Sequence, residues 1–77
     1  MARFYFDVRY DDEPWSPDED SVPLVGRREA RAEALGLIAG LAEDQVREHW
    51  RIAVRVRDHE PEPFVTVTLS VDVEPPD

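Results

Sequence analysis

Gly26-Arg27-Arg28-Glu29-Ala30-Arg31-Ala32-Glu33-Ala34-Leu35-Gly36-Leu37-Ile38-Ala39-Gly40-Leu41 is the part of the chain with helical periodicity. At about 100° per residue, Ala30, Ala34, Leu37, Ile38 and Leu41 fall on one stripe. Gly26 is an acceptable N-cap, and Glu29 stands at the third helical position, from which it can reach back to the cap. Glu29 and Glu33 also sit at the end of the helix where negative charge is favoured. The periodicity predicts a helix from Gly26 to about Glu48, its stripe turned toward a sheet. Small side chains at Ala30 and Ala34 let that end approach closely.

Both sides of this helix carry alternating sequence. Upstream, Phe4, Phe6 and Val8 alternate with Arg3, Tyr5, Asp7 and Arg9, the period of a half-buried strand. Residues 10–20 hold two prolines and six acids and read as turn chemistry. Within them Trp15 and Ser16 offer a short second strand, after which Val22 and Leu24 return the chain to the core. Pro17 and Pro23 confine that strand to a sheet edge, because proline donates nothing to a ladder. Downstream, Trp50, Ile52, Val54 and Val56 alternate with Arg51, Ala53, Arg55 and Arg57, giving a third strand. After a turn with Pro61 and Pro63, Val65, Val67, Leu69 and Val71 alternate with Thr66, Thr68 and Ser70, giving a fourth that Val73 extends. Residues 74–77 read as a frayed acidic tail.

The order strand, strand, helix, strand, strand specifies an α+β fold. A right-handed crossover makes strands two and three parallel. With strand one between them, every neighbouring pair is antiparallel and the spatial order is 2-1-3-4. One helix then covers one face of a four-stranded antiparallel sheet (ββαββ), and the other face is open. The expected core is Phe4, Phe6, Val8, Leu24, Ala34, Leu37, Ile38, Leu41, Ile52, Val54, Val56, Val67 and Leu69.

With 77 residues the chain is expected to be one domain, 1–77. A domain this small buries only roughly 60–65% of its unfolded surface, and such domains often gain stability by associating. The chain has 18 acidic and 9 basic residues and no cysteine. That excludes a disulfide scaffold, cysteine catalysis and a cysteine-rich zinc site. A formal charge of −9 argues against wrapping nucleic acid over the whole surface. No apolar run approaches the length that crosses a bilayer, and the N-terminus lacks the apolar region of a signal peptide. The expectation is a cytoplasmic protein with no membrane partner.

These residues resemble a family of small bacterial proteins catalogued as a domain of unknown function. The resemblance runs nearly end to end. It is carried by the arginine-aromatic strand Arg3-Phe4-Tyr5-Phe6-Asp7-Val8-Arg9 and by the Asp-x-x-Gly-apolar element, here Asp18-Glu19-Asp20-Ser21-Val22 with serine in place of glycine. The Ala-x-x-Glu-Ala helix, Ala30-Arg31-Ala32-Glu33-Ala34, and the strand-opening Trp50 complete it. The resemblance implies the ββαββ order and implies no activity.

Candidate sites are few. Asp18 and Asp20, with Asp11, Asp12 and Glu13 nearby, are hard-cation ligands by chemistry, but no glycine turn or closing glutamate makes them a calcium loop. A solvated turn in which Asp18 bonds its own backbone is the plainer reading. His49, placed near the helix C-terminus, and His59 lack a second ligand at metal spacing. There is no glycine-rich phosphate loop and no GxSxG. No catalytic, cofactor-binding or metal residue is therefore assigned, no cofactor is expected, and the chain reads as a non-enzyme.

Two surfaces stand out instead. Strand parity gathers Arg3, Tyr5, Arg9, Arg51, Arg55 and Arg57 on the open sheet face, beside Thr66, Thr68 and Ser70 and opposed by Asp7. Arginine with an aromatic on a sheet can clamp single-stranded nucleic acid; the plainer reading is an outer face whose arginines pair with nearby acids. On the helix, Leu35, Ala39, Ala42 and Val46 form a second stripe, a candidate homodimer surface, with Ala32, Gly36 and Gly40 farther round. The leading expectation is a self-associating acidic module that binds another protein. Nucleic-acid binding through the arginine face is the alternative. A further one is an acidic decoy for a basic partner, acting through Asp18, Glu19 and Asp20.

Overall fold

The alternating stretches do pair around the helix. In the computed structural model, which describes residues 1–76, the elements are β1 (Ala2–Tyr10), β2 (Val22–Leu24), α1 (Arg27–Glu43), β3 (His49–Arg57) and β4 (Val65–Asp72). The sheet order is β2-β1-β3-β4, all neighbours antiparallel. This is the expected α+β arrangement. Phe6 lies opposite Val56 and Val54 opposite Val67, so the apolar residues of the three long strands share the face that α1 covers. Phe4, Phe6, Trp50, Ile52, Val54 and Val56 are buried there against Ala30, Ala34 and Ile38.

Several expectations need correction. The second strand is Val22–Leu24, not Trp15–Ser16; Ser16 forms one isolated bridge with Val8 farther along the same edge of β1. Trp50 and Ala30 belong to the buried core, whereas Leu69 is 37% exposed because β4 is the outermost strand. The helix ends at Glu43, with the Asp44 N–H donating to the Leu41 carbonyl and the Gln45 N–H to the Ala42 carbonyl. No glycine or proline marks that stop. Instead Arg47 is drawn to Asp11 at 2.8 Å and the chain must reach β3. Val46 is consequently off the helix and 94% exposed, and so drops out of the proposed stripe. His49 opens β3 opposite Asp72 rather than capping the helix. Glu29 does fold back toward Gly26 but makes no capping hydrogen bond. Of the expected tail 74–77, residues 74–76 carry no regular structure, and Asp77 lies outside the described residues.

The two sheet edges differ. Antiparallel ladders bond alternate residues to each neighbour. Ser16 and Val8 exchange both backbone bonds, at 3.1 and 2.8 Å, so the even residues of β1 face the β2 side. Pro23 is opposite Arg3, a position that needs no N–H from the edge strand. Between β2 and the Ser16 bridge, the Phe6 N–H has no strand partner. It donates to Asp18 Oδ2 at 3.0 Å instead. The β1 edge is thus closed by a three-residue strand, a carboxylate and a bridge in turn.

Candidate functional site

The face away from α1 is built around Asp7. Its side chain is 0% exposed, although strand parity turns it from the core. Arg57 Nε and Nη2 donate to its two oxygens at 2.7 and 3.0 Å, and Arg55 Nε donates at 2.7 Å. The Asp18 N–H adds a bond at 2.9 Å. Burial pushes the Asp7 carboxyl up; the donors Arg57, Asp18 N–H and Arg55 together outweigh it and hold the carboxyl at about 2. Two aromatics fix the arginine planes. The Arg57 guanidinium lies 4.8 Å from the Tyr5 ring centre and that of Arg55 4.5 Å from Trp15, with Arg9 also over Trp15 at 5.8 Å.

A second group closes the far end of β1. Asp11 takes a left-handed backbone, φ 53°, which aspartate tolerates better than most residues. That turn aims its carboxylate at the Arg51 N–H, 3.0 Å away, and at Arg47 Nη1, 2.8 Å away. The hydrogen bonds from Arg47 and Arg51 hold the Asp11 carboxyl below its ordinary value. Asp12 accepts from Arg51 Nη2 at 2.7 Å and lies 3.7 Å from Arg9. Between these groups Arg9, Trp15, Arg51, Ala53, Thr66 and Thr68 line an open cleft of about 280 Å³. Arg3 stands apart and donates to the Ser21 hydroxyl at 2.6 Å.

All six residues of the predicted arginine face, Arg3, Tyr5, Arg9, Arg51, Arg55 and Arg57, do share it. What sequence parity missed is the turn over residues 11–18, which returns Asp11, Asp12 and Asp18 to the same face and lays Trp15 on it. Two of the turn's acids, Asp11 and Asp12, read as solvated, are partners of Arg47, Arg51 and Arg9, while the Asp18 carboxylate accepts from the Phe6 N–H. Asp18 does bond its own turn, accepting from the Asp20 N–H at 3.1 Å.

A family model described as a domain of unknown function, DUF6894, matches residues 3–70. The chain belongs to this family. The match takes in β1, β2, α1, β3 and most of β4, and with them the Asp7 and Asp11 groups. No curated protein and no solved structure matches the chain.

The remaining surface of this DUF6894 chain divides by helix flank. On the β2 flank, Phe6, Val8, Val22 and Leu37 line an apolar cleft of about 390 Å³ edged by Asp18, Asp20 and Glu33. On the β4 flank, Arg27 stacks on Phe64 at 4.6 Å and bonds Asp58 at 2.9 Å, while Phe64 meets Phe4 edge to face. Leu35, Ala39 and Ala42 continue this flank by helical geometry, and Leu35 is 51% exposed. Among the described residues no group of three or more metal-ligating side chains converges, and no helix is long and apolar enough to cross a membrane. His49 lies 3.2 Å from Asp72, and His59 stands in its charged turn.

Beyond Leu35 lies β4. The Val73 N–H donates to the Glu48 carbonyl at 2.9 Å, and the β3 register continues that pairing through Val71, Leu69, Val67 and Val65. Alternation therefore turns the N–H and C=O of Thr66, Thr68 and Ser70 outward. Among the described residues no strand covers them.

Proposed function

We propose that the chain is a non-catalytic protein-interaction module that binds by adding a strand to the free edge of β4. The observation that carries this reading is the contrast between the two sheet edges. Proteins guard exposed edges with short strands, prolines, charges or bulges. Here the β1 edge is guarded by a three-residue strand with a proline and by Asp18. The edge of β4 runs for eight residues, Val65–Asp72, and the only charge in it is at its last residue. Strand addition uses such an edge, with the backbone supplying affinity and alternate side chains supplying specificity. A cytoplasmic setting fits a chain without cysteine.

The arginine face lends less support to nucleic-acid binding. Arg55 and Arg57 are tied to Asp7, and Arg51 and Arg9 lie against Asp12. A phosphate must displace those carboxylates against a molecular charge of −9. A decoy built on Asp18, Glu19 and Asp20 loses Asp18 to the Phe6 N–H.

The test is capture from the source lysate with and without nuclease treatment, comparing the wild type with Thr68→Pro and Arg51→Glu. Strand addition predicts proteins that survive nuclease, are lost with Thr68→Pro and are kept with Arg51→Glu. Captured nucleic acid that Arg51→Glu abolishes would contradict it.

A further inference from the structure

The partner that best fits the β4 edge is another β4. We infer that two copies of the chain pair antiparallel along this edge about a twofold axis at Thr68, forming one continuous eight-stranded sheet. This rests on the strand-addition reading and names its partner.

Register carries the inference. Residues directly opposite in an antiparallel pair share a sheet face. Twofold pairing of identical strands must therefore match positions of equal parity. The outward N–H and C=O groups belong to Thr66, Thr68 and Ser70, so these must form the bonded pairs. An axis at Thr68 meets both conditions. It sets Thr66 against Ser70 of the partner subunit and Thr68 against its own copy on the open face. On the helix face it sets Val67 against Leu69 of the partner subunit and Val65 against Val71 of the partner subunit. All seven pairs from 65 to 71 are apolar with apolar or hydroxyl with hydroxyl, and none carries a charge. A one-residue slip would put apolar side chains against hydroxyl side chains throughout.

Charge points the same way. On a molecule of charge −9, an uncharged edge neither attracts a basic partner nor repels another copy. The exposed side chains beside it also fit a second copy. Leu69 is 37% and Leu35 51% exposed, and both lie on the side that the axis brings together. Arg27 stacks on Phe64, just ahead of β4, so α1 starts where β4 starts. The twofold then sets the two helices antiparallel on one sheet face, with Leu35, Ala39 and Ala42 between them. The arginine end of each, Arg28 and Arg31, approaches the Glu43 end of the other. The small residues of that flank permit a close approach, and the charges at its ends are complementary.

The test uses the purified full chain. Sedimentation equilibrium should give twice the 8.9 kDa chain mass. Thr68→Pro removes an outward N–H that the monomer does not use, a position where an edge strand accepts proline. It should weaken association at least roughly tenfold with the far-ultraviolet circular dichroism of the wild type. Leu69→Lys, which leaves the backbone alone, should weaken it as well. The register is read by cysteine pairing, since the chain has no cysteine of its own. Cα atoms in a bonded antiparallel pair stand about 5.5 Å apart, within disulfide reach. Thr66→Cys mixed with Ser70→Cys should yield a disulfide-linked dimer under mild oxidant, and neither variant alone should. A monomer mass at every concentration overturns the inference, as does a dimer that survives both Thr68→Pro and Leu69→Lys, or a different cysteine pairing. If the chain is monomeric yet the lysate proteins are still lost with Thr68→Pro, strand addition stands and self-pairing falls.

Discussion

Asp7 is the residue on which the outer face depends. Removing a carboxylate from water is costly, and the cost is met by two arginines and a backbone N–H. Its carboxyl sits at about 2 against an ordinary 3.8. A depressed carboxylate contributes stability that is complete above its unfolded value and lost as pH falls through its folded one. For Asp7 that window runs from about pH 4 down to about pH 2, and the contribution is roughly 2 kcal/mol. Asp7→Asn should therefore lower unfolding free energy by about 2 kcal/mol at pH 7. The gap from wild type should narrow below pH 4 and close below pH 2. Urea titrations at a series of pH values check this; a gap that is constant with pH would place the carboxyl elsewhere. Strand parity sets Asp7 against the arginines of the open face, but its burial is not legible there, because parity sees the alternation of a strand and not the turn folded back over it. Asp7 reads in the sequence as the one acid among those arginines, and Arg55, Arg57 and the Asp18 N–H, 11 residues away, close on it together.

The helix shows what periodicity does and does not encode. Its inner stripe, Ala30, Ala34 and Ile38, is buried as the spacing predicts. Its end is not encoded: residues 44–48 continue the helical pattern, and a tertiary contact, Arg47 on Asp11, takes them out of it. Gly36 and Gly40 lie on the exposed side of the helix, where an added Cβ meets nothing within 4 Å. Neither has a positive φ, so alanine is accommodated at both. Gly36→Ala and Gly40→Ala should each raise stability by about 1 kcal/mol, with additive gains in thermal or urea unfolding. A loss at either site would show that something packs on that side. The strand pattern, by contrast, was legible almost throughout. Three long alternating stretches name their own buried faces, and the order β2-β1-β3-β4 follows from one helix and a right-handed crossover. The short second strand was misplaced because Trp15 and Val22 both alternate with prolines, and local sequence does not say which segment pairs with β1.

At the scale of the whole molecule, the sheet is asymmetric. One edge is closed by β2, Asp18 and the Ser16 bridge. One face is covered by α1, and the other is tied together by Asp7, Asp11 and Asp12. The remaining edge of β4 is where unpaired backbone and exposed apolar side chains coincide. Amide hydrogen exchange across the full chain, at dilute and at high concentration, tests that claim most directly. In dilute solution the Thr66, Thr68 and Ser70 amides should exchange fast, while those of Phe6, Val67 and Leu69, bonded within the fold, are protected. On concentration, protection should rise at Thr66, Thr68 and Ser70. Rates at these three amides that do not change, or protection that grows on the arginine face instead, would contradict the account.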